Sequence, residues 1–238
     1  MKQVIEFPVR IALLGCMCLI FWATASVALP KTVNLCVIFG GIWLTLPAAW
    51  VGRRILDRGH TPGHAVWATT FMHCAMGFTL GVPFFRAFVT YQDWRGWVLP
   101  VPPRVGSALV IITGAACAVT VANLALKGFG APFFVVLSRK LAADWLYAWT
   151  RNPMVLAALS WFVSLGIWFR SALFVLWVLV VFTPALLFFV KVFEERELEL
   201  RFGASYLEYK ARTPMLIPRR PRRPGSAADA AAPVPPDA

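Results

Sequence analysis

The strongest constraint on this chain is a succession of long apolar runs that contain almost no charged residues. Each run is close to the roughly 20 residues that an α-helix needs to cross a hydrocarbon core about 30 Å thick. In hydrocarbon a backbone must satisfy its own hydrogen bonds, and a helix does so within one segment. The sequence therefore predicts an all-α, polytopic membrane helical bundle of about six spans. The predicted spans are 11–29, 32–51, 65–85, 105–126, 153–169 and 172–190.

The composition excludes an ordinary soluble domain of this length. Of the 238 residues, 59% are hydrophobic and 14% are charged, whereas soluble domains average about 45–50% apolar and about 25% charged residues. The net charge of +12 could indicate nucleic acid binding, but the cations lie between the apolar runs and at the C-terminus. That distribution favours a membrane surface whose anionic lipids attract cations. We therefore expect membrane lipids as partners and no nucleic acid.

The loop charges predict the orientation of the bundle. Arginine and lysine concentrate after the second, fourth and sixth runs, and cytoplasmic loops carry such an excess. The segment 86–104, with three arginines, falls on the opposite side. We expect both termini to be cytoplasmic, and the Gly-, Pro- and Arg-rich style of the sequence favours a bacterial inner membrane. Residues 1–218 are interpreted as a single membrane domain, and the Pro/Ala-rich residues 219–238 as a disordered basic tail.

After the sixth run the sequence predicts an amphipathic C-terminal helix that leaves the membrane. Apolar and aromatic residues recur there at helical spacing on one face, and Pro214 and Pro218 end the pattern. Two adjacent glutamates, Glu194 and Glu195, precede this face. A solvated helix start would also give such a pair. The residues of the face are Leu198, Phe202, Tyr206 and Tyr209.

The segment between the fourth and fifth runs does not read as a simple loop. Gly128, Gly130 and Pro132 interrupt any helix there. Irregular backbone at membrane depth survives where it lines a cavity or is buried in protein. This segment is therefore the first indication of a site, and Arg151 lies at its end, just before the fifth run.

Two ordered groups of residues carry a family resemblance. The first group is Pro132, Lys140, Tyr147 and Arg151-Asn152-Pro153-Met154. The second group is Glu194-Glu195, Leu198, Phe202-Gly203, Tyr206, Tyr209 and Ile217-Pro218. Together they resemble the signatures of the isoprenylcysteine carboxyl methyltransferase and phospholipid methyltransferase superfamily of integral membrane enzymes. The resemblance covers residues 127–218.

The resemblance implies S-adenosylmethionine as methyl donor and a lipophilic acceptor with a carboxylate, amine or hydroxyl at the membrane interface. An arginine can hold a carboxylate with two parallel hydrogen bonds, and a glutamate can accept from an ammonium or from hydroxyls. Because the fifth and sixth runs form a hairpin, Arg151 and Glu195 should meet at one end and bind opposite charges of one zwitterionic ligand. The implied catalytic residues are Arg151 and Glu195, and the implied cofactor-binding residues are Tyr147, Asn152, Pro153, Glu194 and Glu195.

Two alternatives stay open. The first signature departs from the family pattern at Trp145-Leu146, Ala148 and Val155, which favours a non-catalytic membrane protein that retains the fold. The other alternative is a membrane reductase that uses NADPH, because steroid and sterol reductases resemble this C-terminal arrangement.

The histidines do not indicate a metal site. His60 and His64 are four residues apart, but Pro62 and Gly63 separate them, so the helical spacing that brings two ligands together does not apply. We expect no metal, and we expect His73 to be hydrogen-bonded inside the bundle.

Overall fold

A computed structural model describes residues 2–59, 62–94, 96–124, 126 and 141–221. Within these ranges the chain is almost entirely helical, which confirms the predicted all-α bundle. The division into a membrane domain, 1–218, and a tail, 219–238, stays a prediction, because 222–238 lie outside the described ranges. The helices are α1 (Lys2–Ser26), α2 (Lys31–Arg58), α3 (Gly63–Val89), α4 (Pro103–Asn123), α5 (Pro153–Trp168), α6 (Ala172–Phe202) and α7 (Ala204–Arg212).

Four of the described helices, α2, α3, α4 and α6, are long and apolar enough to cross a membrane. The segment Ile11–Ser26 of α1 and the helix α5 are shorter apolar helices at the positions of the other two predicted spans. Several helices run past the predicted ends. The continuation of α3 to Val89 places Arg86 inside the helix, where it is buried. Assigning Arg86 to a charged loop was therefore wrong, because the helix accommodates the cation instead of ending before it.

The long helices pass through internal prolines without breaking. A widened π-helical turn, Gly77–Gly81, precedes Pro83, and another, Val178–Phe182, precedes Pro184. A proline has no N–H and its ring collides with the carbonyl four residues earlier, so the helix must open locally. The Thr183 hydroxyl donates to the carbonyl of the first residue of the second turn at 2.8 Å. These adjustments keep α3 and α6 continuous from one end of the bundle to the other.

Aromatic side chains from different helices fill the centre of the bundle. The rings of Phe84 and Phe162 lie 4.1 Å apart between centroids, and Trp177 packs on the same cluster. The Trp177 indole N–H donates to the Ile38 carbonyl at 3.1 Å, which satisfies the polar group of a buried ring. Packing of this kind holds membrane helices together, because lipid offers little hydrophobic driving force between them.

The hairpin formed by α5 and α6 positions the site. The two helices are joined by a tight turn in which Arg170 adopts a positive φ of 56°. The Ser171 hydroxyl accepts from the backbone N–H of Phe174 at 3.1 Å and caps α6. On the other side of α5, a Cβ added to Gly106 of α4 would lie 2.8 Å from the Trp168 Cα, so the two backbones approach closely. The antiparallel hairpin brings the start of α5 beside the C-terminal part of α6.

Candidate active site

A cluster of three charged side chains, centred on the buried Glu195, joins the start of α5 to α6 and α7. Arg151 Nη2 donates to Glu195 Oε1 at 2.5 Å, which is the meeting expected from the hairpin. Lys210 Nζ lies 2.8 Å from the other oxygen of the same carboxylate, Glu195 Oε2. Glu195 is only 4% exposed. Both of its oxygens are therefore neutralised by cations of the protein itself.

The remaining donors of Arg151 bind backbone carbonyls. Arg151 Nη1 donates to the carbonyl of Lys210 at 2.9 Å and to that of Thr213 at 2.6 Å. These oxygens end α7, where a helix presents unpaired acceptors and partial negative charge. Among the guanidinium nitrogens, Nε alone is buried without a partner in the described part of the chain. The guanidinium is thus largely engaged inside the protein instead of presenting a free two-point clamp.

Residues 213–219, here named the C-terminal strap, cover the residues that precede α5. The Asn152 side-chain amide and the Thr150 hydroxyl each donate to the Met215 carbonyl at 3.0 Å. The backbone N–H of Arg219 donates to the Trp149 carbonyl at 2.9 Å. Pro153 is the first residue of α5, where a missing N–H costs nothing. The strap therefore uses the amide donor of Asn152 and fixes the entry into α5.

A cavity of about 170 Å³ opens beside the charged cluster. Tyr147 and Tyr206 line it, and neither hydroxyl has a hydrogen-bond partner among the described residues. The backbone carbonyl of Tyr147 accepts from the Tyr209 hydroxyl at 2.7 Å, which holds the turn Trp145–Ala148 against α7. Apolar side chains complete much of the wall. They include Leu124, Val190, Leu198 and Phe202.

Glu194 and Glu195 are neighbours in sequence but have different surroundings, because successive helical residues project about 100° apart. Glu194 lines the cavity and its side chain is 28% exposed. No arginine or lysine in the described chain pairs with it. Burial, together with the negative charge of Glu194, raises the pKa of Tyr147 to about 12. Of the two carboxylates that line the cavity, Glu194 is thus the one with no arginine or lysine partner among the described residues.

Among the described residues, Glu194 has one ion-pair partner, His73 of α3. His73 Nε2 lies 3.6 Å from Glu194 Oε1, and His73 Nδ1 lies 2.9 Å from the Thr69 carbonyl in the same helix. The His73 ring also packs edge-on against Phe189. The prediction that His73 is hydrogen-bonded inside the bundle is confirmed. Its contact with Glu194 was missed, because α3 lies outside the signature segments and nothing in their spacing connects them.

The structure gathers most of the predicted site residues around one cavity. Tyr147, Arg151, Asn152, Glu194 and Glu195 all line it. Pro153 lies next to Asn152 at the start of α5. Sequence reasoning missed Lys210, which belongs to neither of the two signature groups. The predicted residues Gly128, Gly130, Pro132 and Lys140 lie outside the described ranges.

Four described helices of membrane-spanning length, together with a cavity lined by charged and apolar side chains, define an integral membrane protein with one candidate site at this end of α5 and α6. The family model of phospholipid methyltransferases matches residues 103–205. This range begins at α4, includes the charged cluster up to Glu195 and ends in the first turn of α7. Residues 103–205 are therefore a phospholipid methyltransferase domain, within the superfamily of integral membrane methyltransferases that the signatures resemble. Comparisons with curated proteins and with solved structures gave no significant match.

Proposed function

We propose that this protein transfers a methyl group from S-adenosylmethionine to a lipophilic acceptor at the membrane interface. The observation that carries the proposal is the Glu194 carboxylate, which faces the cavity of the methyltransferase domain without an arginine or lysine partner among the described residues. A carboxylate in a partly buried cavity, with no arginine or lysine beside it, favours a cationic ligand. S-adenosylmethionine supplies a methyl group that its positive sulfonium makes electrophilic, and it also carries an ammonium group.

The polar groups divide into two sets. Arg151, Glu195 and Lys210 neutralise one another and fasten three helices, so their role in this proposal is to build and position the wall of the site. Glu194 and Tyr147 are the groups directed at the ligand. The raised pKa of Tyr147, about 12, keeps its hydroxyl protonated at neutral pH. It can then donate to a ligand carboxylate or hydroxyl while Glu194 accepts from an ammonium.

The polar and aromatic groups around the cavity fit the chemistry of S-adenosylmethionine. A carboxylate and aromatic faces suit a sulfonium and an ammonium, and the buried Nε of Arg151 is a remaining donor for a carboxylate. Asn152 has its amide oxygen left for a ligand, since its nitrogen binds Met215. The cavity of about 170 Å³ is smaller than the roughly 300–1,000 Å³ of sites that enclose a whole small molecule. The described residues therefore account for the charged end of the ligand.

The acceptor in this proposal comes from the bilayer. The cavity lies where α5 and α6 reach the end of their apolar stretches, and its wall combines Val190, Leu198 and Phe202 with the polar groups. Such a wall suits a molecule with an apolar chain and one nucleophilic carboxylate, amine or hydroxyl. The protein would hold that group in line with the methyl carbon and exclude water, which lowers the entropic part of the barrier.

Binding of S-adenosylhomocysteine to the purified protein in detergent tests the proposal. Calorimetry should detect binding to the wild type, and Glu194→Gln should weaken it at least about tenfold, by the roughly 1.5–3 kcal/mol of a hydrogen bond to a charged group. Glu208→Gln is the matched control, because Glu208 is exposed and pairs only with Arg212 within α7. Absence of binding at millimolar ligand would favour a non-catalytic protein. Binding of NADPH in its place would favour a reductase.

A further inference from the structure

Arg86 is a buried cation near the end of α3, and it is only 3% exposed. Its Nε donates to the Asn34 side-chain oxygen at 2.7 Å, and its Nη1 donates to the carbonyls of Thr24 and Val27, each at 2.7 Å. All three acceptors are neutral, and no carboxylate of the described chain pairs with the guanidinium. Buried charges in proteins are normally paired. The carbonyls at the end of α1 supply only a fraction of a negative charge.

A cavity of about 480 Å³, here named the Arg86 cavity, adjoins this guanidinium. Nη2 of Arg86 makes no hydrogen bond to any described residue, so it remains a donor toward the cavity. Lys31 also lines the cavity and has no ion pair within the described ranges, whereas Asp93 contributes one negative charge. The lining thus keeps a net positive charge. Its volume falls within the roughly 300–1,000 Å³ of small-molecule sites.

The start of α2 adds a third positive element to the Arg86 cavity. α2 begins at Lys31 after Pro30, and no side chain caps its N-terminus. The first N–H groups of a helix lack partners inside the helix, and the helix dipole places partial positive charge there. A buried arginine with a spare donor, a lysine and an uncapped helix start therefore converge on one cavity. This is the chemistry of an oxyanion site.

The Arg86 cavity is separate from the candidate active site. α2 begins at one cavity and ends near the other, and its 28 residues span about 40 Å at 1.5 Å per residue. Val27 and Val89 line the Arg86 cavity and are exposed on the apolar surface beside it. A ligand there can therefore combine an oxyanion with apolar chains that follow the outside of the bundle.

We propose that the Arg86 cavity binds the phosphate group of a phospholipid headgroup, at the end of the bundle opposite the methyltransferase site. The phosphate accepts from Arg86 Nη2 and lies near Lys31 and the first N–H groups of α2. The acyl chains lie along the apolar surface beside Val27 and Val89. Free inorganic phosphate shares the oxyanion chemistry but lacks these chains, so the two sources can be told apart.

Native mass spectrometry of the full chain in detergent, with dioleoylphosphatidylglycerol as the probe, tests the proposal. Lys31→Ala should weaken binding about fivefold, as expected for one cation near a phosphate, and Asp93→Asn should strengthen it. Arg104→Ala is the matched control, because Arg104 is an exposed cation in the first turn of α4 and does not line the cavity. Dioleoylglycerol, which has no phosphate, should not bind.

Competition separates the sources of phosphate. Inorganic phosphate that displaces the lipid supports recognition through the phosphate, whereas inorganic phosphate that binds while the lipid does not overturns the lipid assignment. Equal weakening by Lys31→Ala and Arg104→Ala means a diffuse surface attraction and overturns the site. Equal binding of dioleoylglycerol does the same. A folded Arg86→Lys variant with unchanged lipid affinity also refutes the role of Nη2, and Lys31→Ala decides the matter where Arg86→Lys does not fold.

Discussion

Neutralising Glu195 and neutralising Glu194 should have opposite effects, although the two residues are adjacent and the substitution by glutamine is the same. Glu195 contacts two cations and is nearly fully buried. Glu195→Gln leaves Arg151 and Lys210 without their shared anion. Breaking a buried ion pair costs about 3–5 kcal/mol. Lys210 keeps a second partner, Glu199, at 2.9 Å, so we expect a loss near the lower limit, about 3 kcal/mol of unfolding free energy.

Glu194→Gln should cost far less stability. The Glu194 side chain is partly exposed, and its ion-pair partner among the described residues is His73 at 3.6 Å. Such pairs contribute about 0–1 kcal/mol. Unfolding by SDS in mixed micelles, followed by the loss of helical circular dichroism, gives both free energies. Glu194→Gln should retain stability while losing ligand affinity. Equal destabilisation by the two variants, or a Glu195→Gln variant within about 1 kcal/mol of the wild type, would refute the division of roles.

Three further predictions concern pH, backbone strain and topology. Stability should fall as the pH rises above about 10. Burial lowers the pKa of Lys210, but its bonds to Glu195 and Glu199 outweigh this effect, so the net pKa is raised. The pKa of Tyr147 is raised as well. The unfolded chain releases these protons first, so it binds fewer protons than the folded protein and stability declines through this range, which a series of thermal melts would reveal; a flat profile to pH 11 would contradict it. Gly203→Ala should cost about 1–3 kcal/mol of stability in the same melts. The cost comes from backbone strain alone, because Gly203 has φ 53° and ψ −130° and an added Cβ meets no atom. A cost no larger than that of Gly63→Ala would argue against strain. Reporter fusions after residue 58 and at the C-terminus should both report a cytoplasmic location, and an extracytoplasmic signal from either would reverse the orientation.

The sequence predicts the fold well, because apolar length is a property of composition that needs no tertiary information. The same reasoning stops at the ends of the helices. It placed Arg86 in a loop, since a charge normally marks the end of a span. It could not foresee that Asn34 and two carbonyls at the end of α1 would accept from the guanidinium, because those residues lie more than 50 positions away.

The candidate site was predictable in its members and less so in their roles. The hairpin argument correctly brings Arg151 to Glu195, since an antiparallel pair of helices fixes which ends meet. It does not reveal that Lys210 completes the cluster, because the break at Gly203 redirects α7 toward α6. The directions in which the Glu194 and Glu195 side chains project depend on the π-helical turn Val190–Glu194. This wider turn changes which face of α6 each following residue occupies. Apolar periodicity alone does not show that shift.

The C-terminal strap links the order of synthesis of this protein to the completion of its structure. Arg151 is translated some 60 residues before the carbonyls of Thr213 and Pro214 that accept from its side chain and backbone. A ribosome that stops before this point releases a chain with its helices inserted but with a buried guanidinium short of acceptors. The first residues of the strap thus complete the hydrogen bonds of an arginine in the cavity wall, and they are synthesised after all the residues that line the cavity. To membrane quality control, a truncated chain would be fully inserted but incompletely hydrogen-bonded. It would differ from the full chain at one place near the membrane surface, the guanidinium that lacks its acceptors.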